Sequence, residues 1–361
     1  MIPYWFMFLV PAVAALLSER RGRTARAHLT VQRLTLGWIA AGVLLALLVG
    51  YRYEVGGDWL TYVKYLNYVE GATLGEVLLL PDPGYMFLNW LSMQLDWDII
   101  GVNVFGGVIF SIGIIRFCRS LPRPWLGLAV AMPYLVIVVG MGYTRQGIAL
   151  SVALLGLLAL QRGSTAWFFV WVVLGATFHK TAVLLLPIAA LAASKNRVWT
   201  IAWAAVGTAV AYALLLSESF ETLYESYVEG EYQSEGAQIR MLMNVLPALV
   251  VLAWSKRFPF RPAEAALWRW FALITFALLG VLVVTSASTA VDRIALYILP
   301  LQMVVFSHLP SAWAPRDTRR QIGVIWLVLA YYLTVLAVWL LFSNHAQFWV
   351  PYRFYPLETL L

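Results

Sequence analysis

The chain has 361 residues, of which 62% are hydrophobic and only 12% charged, and its formal net charge is +7. This composition excludes an ordinary soluble domain and is typical of a protein with many membrane spans. The positive charge does not indicate nucleic acid, because the cations lie in short loops between apolar segments, where membrane topology explains them.

Apolar segments follow one another along the whole chain, and each predicts a membrane-spanning helix, since about 20 apolar residues cross the hydrocarbon core. The predicted spans are 3–17, 34–50, 99–115, 124–141, 145–161, 165–178, 180–194, 198–216, 241–255, 267–288, 293–309 and 321–342. The sequence therefore predicts an all-α polytopic membrane protein with about 12 transmembrane helices, in which residues 1–361 form a single domain.

The order of charges sets the predicted topology. Basic residues follow segment 3–17 instead of preceding it, which excludes a cleavable signal peptide and indicates a first span with its N-terminus outside. Segment 83–97 is short, begins with Pro83-Gly84 and ends with Asp96-Trp97-Asp98, so we interpret it as a re-entrant or interfacial helix. With this assignment both termini lie outside and every basic cluster lies inside, as the positive-inside rule requires.

Two long segments are predicted on the outer face, at 51–82 and 217–240. Loops of this length tend to be functional. The first contains an apolar pattern at helical spacing, which predicts an amphipathic helix at the membrane surface, and its residues are Trp59, Tyr62, Val63, Leu66 and Val69. The second is acidic and rich in tyrosine.

All but seven of the 25 Lys and Arg residues lie in the predicted inner loops. The seven exceptions lie at the outer ends of the apolar segments: Arg52, Lys64, Arg145, Lys180, Arg240, Arg293 and Arg353. An arginine in that position opposes the orientation signal, so these residues predict another role. Four of them could converge on one anionic substrate that carries phosphate.

The first candidate motif lies where the second span emerges outside. Gly56-Gly57 permits a tight turn and the close approach of a ligand to the backbone. Arg52 and Asp58 flank this turn and combine an anion-binding residue with a candidate general base, and Tyr62 follows one turn later. The alternative is that Asp58 only caps the next helix and that Arg52 only extends toward lipid headgroups.

The second motif, Arg145-Gln146, opens a span from the outer side. A cation in the first turn of a helix opposes the helix dipole unless an anion joins it. We therefore expect Arg145 to bind phosphate together with the free backbone N–H groups of that turn. The alternative is a salt bridge to an acidic residue of the outer loops.

Further polar residues interrupt apolar stretches near the same face. His179 and Lys180 divide a long uncharged region, which is costly and usually indicates a cavity. Arg293 and Tyr297 share one helix face at a spacing of four residues. Arg240 closes the acidic outer loop.

Each of these residues also has a purely structural interpretation. His179 could be a structural hydrogen-bonding residue, and Asp292 could pair with Arg293 or cap its own helix. For Arg240 the alternative is a salt bridge within its own loop, to Glu229, Glu231 or Glu235.

The order of these motifs along the chain carries a family resemblance. They are Arg52…Gly57-Asp58…Tyr62, Pro81-Asp82-Pro83-Gly84-Tyr85, Arg145-Gln146, Phe178-His179-Lys180-Thr181 and Asp292-Arg293…Tyr297. In this order of motifs, all predicted on the outer side of the membrane, the chain resembles the EpsG-type family, a branch of the Wzy-like polysaccharide polymerases. The resemblance extends to Trp349-Val350-Pro351-Tyr352. The proline-aspartate-proline sequence departs from the more acidic proline-glutamate pattern expected there, which leaves Asp82 without a predicted catalytic role.

The resemblance implies the polymerisation of undecaprenyl-pyrophosphate-linked repeat units into exopolysaccharide. It implies a multi-pass protein of the bacterial inner membrane with a GT-C-like fold, related to the lipid-sugar glycosyltransferases. The reaction is expected at the periplasmic face, and both termini are then periplasmic. The expected partners are the lipid-linked oligosaccharide, membrane lipids and other exopolysaccharide export proteins, with no nucleic acid.

The predicted chemistry is glycosyl transfer with a pyrophosphate leaving group. That group needs positive charge, and arginine suits phosphate better than lysine. The acceptor hydroxyl needs a base, for which Asp58 and His179 are the two candidates. The predicted substrate- and pyrophosphate-binding residues are Arg52, Arg145, Gln146, Lys180, Arg240, Arg293, Tyr62 and Tyr297.

The sequence predicts neither a metal site nor a cofactor. The single cysteine, Cys118, excludes an intramolecular disulfide and a multi-cysteine metal site. Two other classes of function compete with the polymerase. A flippase or transporter of the lipid-linked glycan would line a central path with cations. An O-antigen-ligase-like enzyme would differ in its acceptor, and an acyltransferase would need a deep histidine facing the cytoplasm.

Overall fold

The computed structural model describes residues 1–20, 33–187, 236–284 and 288–358, together with positions 202 and 206. These residues are mostly helical. The apolar segments fold as helices because a helix satisfies its own backbone N–H and C=O groups where no water is present.

The first half of the described chain contains α1 (Ile2–Arg20), α2 (Leu36–Gly50), α3 (Trp59–Leu66), α4 (Leu74–Val77), α5 (Pro83–Gln94), α6 (Asp98–Cys118), α7 (Pro124–Ala131), α8 (Thr144–Gln161) and α9 (Thr165–Ala176). A π-helix at Met132–Gly140 continues α7 through the same apolar segment. A 3-10 turn at Lys180–Leu184 follows α9.

The second half contains α10 (Ala237–Trp254), α11 (Pro262–Val284), α12 (Ser288–Ala295), α13 (Leu299–Trp313), α14 (Thr318–Phe342) and α15 (Tyr355–Glu358). Single 3-10 turns lie at Ser255–Arg257, Leu296–Ile298 and Asn344–Phe348. Two short strands, β1 (Arg52–Tyr53) and β2 (Arg353–Phe354), pair antiparallel with Arg52 opposite Phe354.

Among the described residues, seven helices are long and apolar enough to cross a membrane: Ile2–Glu19, Asp98–Cys118, Thr144–Gln161, Ala237–Arg257, Pro262–Val284, Val291–Trp313 and Thr318–Phe342. Three shorter apolar helices, at Leu36–Gly50, Pro124–Gly140 and Thr165–Ala176, also coincide with predicted spans. The prediction of an all-α polytopic membrane protein is confirmed. The count of twelve spans and the GT-C-like arrangement stay predictions.

Three predicted segments need separate comment. The span predicted at 180–194 begins with a 3-10 turn, and its residues from 188 onward lie outside the described part of the chain. So do most of the span predicted at 198–216 and the outer loop up to residue 235. Segment 83–97 forms α5, whose 12 residues are too few to cross the hydrocarbon core alone.

Small residues let the helices around the site pack closely. A side chain at Gly107 of α6 would lie 2.8 Å from the backbone nitrogen of Gly50 at the end of α2. On the neighbouring α8, the Ser151 carbonyl oxygen would lie 2.3 Å from a side chain at Gly113. Such contacts allow two helix backbones to approach within a membrane. They fix α6 between α2 and α8.

The C-terminal segment closes the end of the bundle that carries the loop after α2. The buried Trp349 indole N–H donates to the Ile137 carbonyl at 2.8 Å, and the Tyr4 hydroxyl donates to the Trp349 carbonyl at 2.6 Å. The Gly56 N–H donates to the Phe348 carbonyl at 2.8 Å. The N-terminal end of α1 and the C-terminal segment therefore lie at the same end of the molecule.

Candidate functional site

Most of the predicted functional residues meet at this same end of the bundle. The elements that bring them together are the loop after α2, the residues before α5, the first turn of α8, the 3-10 turn after α9, and α12 with the turn that follows it. Side-chain hydrogen bonds and ion pairs connect these elements directly.

The centre of the site is an ion pair between α8 and the residue before α5. Arg145 Nη1 lies 2.8 Å from Asp82 Oδ2, and the Lys180 backbone N–H donates to Asp82 Oδ1 at 3.3 Å. Burial raises the pKa of the Asp82 carboxyl, and the positive charge of Arg145 opposes this shift. The salt bridge that the sequence allowed as an alternative for Arg145 therefore exists, and its acid belongs to the first outer loop.

The ion pair leaves part of the Arg145 guanidinium available. Its carbon Cζ lies 4.9 Å from the centroid of the Tyr65 ring, which fixes the plane of the group. Nε is buried and, within the described residues, has no hydrogen-bond partner. Since a guanidinium has five N–H donors, Asp82 can hold one edge while other donors remain for an anion.

Asp58 lies at the start of α3, as predicted, but its side chain makes no capping hydrogen bond. Burial raises the pKa of the Asp58 carboxyl above its ordinary value. The charges of Arg293 and Arg145 and a hydrogen bond with Tyr62 oppose the shift without cancelling it. Asp58 is therefore a stronger base than an exposed aspartate, and it lies within the field of two arginines.

The amphipathic helix predicted after Asp58 is confirmed as α3, and most of its apolar face packs against the protein. Trp59, Tyr62 and Leu66 are buried, and α3 packs against α5 and α6. The Tyr62 ring lies 5.6 Å from the Tyr85 ring. Tyr62, at 4% exposure, forms a hydrogen bond with Asp58 from within the protein, and its contact with substrate stays a prediction.

His179 is buried at the start of the 3-10 turn. The Thr181 N–H donates to His179 Nδ1 at 3.4 Å, and Thr181 Oγ1 lies 2.6 Å from the same nitrogen. Thr181 Oγ1 also lies 3.1 Å from the Tyr297 hydroxyl oxygen. Burial, followed by the charges of Arg145 and Arg293, lowers the pKa of His179 to about 3, so its ring is neutral at pH 7.

Arg293 and Gln146 connect α8 to α12. Gln146 Nε2 donates to the Arg293 carbonyl at 2.7 Å, and Gln146 is only 3% exposed, so its amide holds the backbone of α12. The half-buried Arg293 side chain acts electrostatically on both Asp58 and His179. Tyr297, one turn further along, is buried, and its hydroxyl contacts Thr181, which in turn contacts His179.

Arg240 forms a bidentate ion pair across two helices. Its Nε and Nη2 donate to the two carboxylate oxygens of Asp292, each at 2.8 Å. The sequence suggested partners for Arg240 within its own loop, at positions 229, 231 and 235, which lie outside the described residues. Asp292 of α12 thus holds Arg240, in the first turn of α10, next to Arg293.

Arg52 departs most from its prediction. Only 1% of the residue is exposed. Its Nε donates to the Met141 carbonyl at 2.9 Å, Nη2 donates to Asn103 Oδ1 at 2.7 Å and to Thr144 Oγ1 at 2.6 Å, and Nη1 donates to the Val49 carbonyl. Burial lowers its pKa to about 10, which leaves it charged at neutral pH. Arg52 therefore ties the end of α2 to α6 and α8 beneath the site, and its binding of pyrophosphate stays a prediction that none of these contacts supports.

A comparison with protein-family models decides the family. The model of the EpsG family matches residues 36–354, which is most of the chain. The chain belongs to the EpsG family. Membership in it indicates, in general terms, a polysaccharide polymerase among multi-pass membrane proteins. Comparisons with curated proteins and with solved structures gave no match.

Asp82 belongs to the candidate site of this EpsG-family chain, although no catalytic role was predicted for it from the sequence. Its backbone has φ 54° and ψ 58°, a left-handed conformation that is uncommon for a residue other than glycine. Such conformations concentrate at functional sites, where the surrounding structure holds them in place. Its position between Pro81 and Pro83 was the available signal, because each proline restricts the backbone around it.

Proposed function

We propose that this EpsG-family chain joins undecaprenyl-pyrophosphate-linked oligosaccharide repeat units into an exopolysaccharide, by glycosyl transfer at the periplasmic face of a bacterial inner membrane. The observation that supports it best is that Arg145 and Arg293 act on both Asp58 and His179. A basic carboxylate, a neutral imidazole and two cations form the set that an acceptor hydroxyl and an anionic leaving group require.

In the proposed reaction, the acceptor hydroxyl oxygen forms a bond to the anomeric carbon of the donor. The bond between that carbon and the pyrophosphate oxygen breaks, and undecaprenyl pyrophosphate leaves with the electron pair. The hydroxyl proton passes to the Asp58 carboxylate. Positive charge builds on the sugar ring and negative charge on the leaving group, so fixed cations lower the barrier most where the pyrophosphate lies.

Arg145 and Arg293 are the proposed ligands of the pyrophosphate. Asp82 holds one edge of the Arg145 guanidinium, and the Nε–H and the remaining donors can then bind phosphate oxygens. Lys180 adds positive charge beside Asp82 and His179. In this proposal, Gln146 and the Arg240–Asp292 pair position α12 and do not contact the substrate.

The geometry around His179 favours Asp58 as the base. In this proposal Nδ1 accepts the Thr181 N–H, and the neutral ring carries its proton on Nε2. An imidazole in this state donates a hydrogen bond and does not accept a proton at Nε2. We therefore assign to His179 the donation of a hydrogen bond to a substrate oxygen.

The test uses the purified full-length protein and a purified undecaprenyl-pyrophosphate-linked repeat unit, with product length resolved on a gel. Asp58→Asn should still bind the donor but not form product. The matched control is Lys64→Ala, which removes an exposed cation of α3. A ladder of repeat units supports the polymerase. Transfer of one finished glycan to a different acceptor would identify a ligase, and movement of the lipid across the membrane without bond formation would identify a flippase.

A further inference from the structure

The end of the bundle opposite the candidate site contains a cavity that the proposed function does not use. Its volume is about 240 Å³, and its polar lining comes from Ser120, Gln161, Arg162, Arg261, Glu264 and His308. Helix α8 connects the two ends: Arg145 lies in its first turn and Arg162 directly follows it. At 1.5 Å per residue, the 18 residues of α8 separate the two regions by about 27 Å.

A second cavity of about 360 Å³ adjoins the first and has a mainly apolar lining. Its walls come from α6, α8 and α9, with Ile112, Leu155, Trp167 and Trp171 among the lining residues. Leu158 and Arg162 line both cavities, so the two spaces lie on neighbouring sides of these two side chains. The first cavity is polar and lies at the helix ends, and the second is mainly apolar and lies along the helices.

Positive charge surrounds the junction. Arg162 lines both cavities, Arg116 lines the apolar one and Arg261 lines the polar one. Glu264 is the acidic residue among the lining residues, and its carboxylate accepts the Arg261 backbone N–H at 3.2 Å. Three guanidinium groups against one carboxylate favour an anion, and guanidinium groups bind phosphate oxygens in particular.

We propose that these two neighbouring cavities bind an anionic glycerophospholipid of the surrounding membrane. Its headgroup phosphate would lie at Arg162, between Arg116 and Arg261, and an acyl chain would lie along Ile112 and Leu155. A polar space at the helix ends lies at headgroup level, and Trp167, 59% exposed, occupies the interfacial position that tryptophan favours. Ile112 lies six residues before the end of α6, so the apolar space reaches about 9 Å toward the bilayer centre.

The shape and the charge of the space select this ligand over two simpler ones. A free phosphate ion would fill the polar space alone and leave the apolar space without an occupant. A zwitterionic phospholipid carries a cation that the surplus of arginines would repel. A bound anionic lipid would join the ends of α6 and α8 to the start of α11, and would thereby stabilise the far end of the helix that carries Arg145.

The experiment uses the full-length protein in neutral detergent. Phosphatidylglycerol, phosphatidylcholine or inorganic phosphate is added, retained lipid is counted by native mass spectrometry, and the melting temperature is measured. Phosphatidylglycerol should be retained and should raise the melting temperature. Arg162→Gln should weaken its binding by at least about tenfold, the scale of one charge-assisted contact. The matched control is Arg319→Gln, which removes an exposed arginine from the start of α14 and should bind as the unaltered protein does.

A second variant, Ile112→Trp, fills the apolar space without changing charge. It should weaken the binding of phosphatidylglycerol and leave any binding of inorganic phosphate unchanged. The proposal is wrong if phosphatidylcholine binds as tightly as phosphatidylglycerol, or if inorganic phosphate stabilises the protein equally. Equal retention of phosphatidylglycerol by Arg162→Gln and Arg319→Gln would also overturn it.

Discussion

Replacing Arg145 by lysine separates the charge of this residue from its geometry. In the structure, Nη1 donates to Asp82 at 2.8 Å, the guanidinium plane lies over Tyr65, and the buried Nε–H has no partner among the described residues. A lysine keeps the positive charge and can keep the ion pair with Asp82. It cannot present a second pair of parallel donors to a phosphate.

The size of the effect follows from the number of donors lost. With one edge of the guanidinium on Asp82, Nε and Nη2 can each bind an oxygen of the pyrophosphate, whereas an ammonium on Asp82 offers one contact at most. Losing one charge-assisted contact costs about 1.5–3 kcal/mol. Since about 1.4 kcal/mol is tenfold in rate, Arg145→Lys should lower kcat/KM by roughly 10- to 100-fold. Arg145→Ala should lower it further, because the partly desolvated Asp82 carboxylate then also loses its cation.

The assay is single-turnover transfer from the lipid-linked donor by purified protein, with retention of the fold checked by melting temperature. Asp82→Asn is the companion variant, because it leaves the Arg145 charge in place and removes only the negative charge that pairs with it. Lys64→Ala controls for the loss of an outer cation that lies outside the site. If Arg145→Lys transfers within about twofold of the unaltered protein, the bidentate model of pyrophosphate binding is wrong.

Four further predictions concern the choice of general base, the pH dependence of Asp58 and His179, the buried Arg52 and the topology. Asp58→Asn should reduce single-turnover transfer by about a hundred- to ten-thousand-fold, and His179→Ala by less; the reverse order would make His179 the base. Because Asp58 must be deprotonated and its pKa is raised, kcat/KM should rise with pH through that raised value. With a pKa of about 3, His179 should give no inflection between pH 5 and 8, so an inflection that disappears in His179→Ala would contradict its assignment. Arg52→Met leaves four acceptors without their donor, so the free energy of unfolding should fall by about 3 kcal/mol or more. This should be seen as a lower denaturation midpoint, and an unchanged midpoint would contradict the structural role of Arg52. A single cysteine at Lys64, in a Cys118→Ala background, should react with an impermeant reagent from the periplasm, and labelling only from the cytoplasm would invert the topology.

The sequence by itself determined the fold class and the family of this protein. Long apolar segments must become helices in a membrane, because no other local structure satisfies the backbone there, and ten of the predicted segments coincide with seven long and three shorter apolar helices. The family resemblance rested on the order of short motifs, which is information along the chain and needs no fold. The matched model of the EpsG family confirms that resemblance over residues 36–354.

Only the tertiary structure shows which outward arginines are enclosed by acceptors and which keep donors free. Arg52 and Arg145 look alike in sequence, since each lies at the outer end of an apolar segment. Arg52 is enclosed by acceptors such as Asn103 and Thr144, which are 51 and 92 positions away, whereas Arg145 meets Asp82 and keeps donors free. The partner of a buried charge depends on which helix ends pack together. That packing is set by long-range contacts such as those of α6 with α2 and α8, which local sequence patterns do not encode.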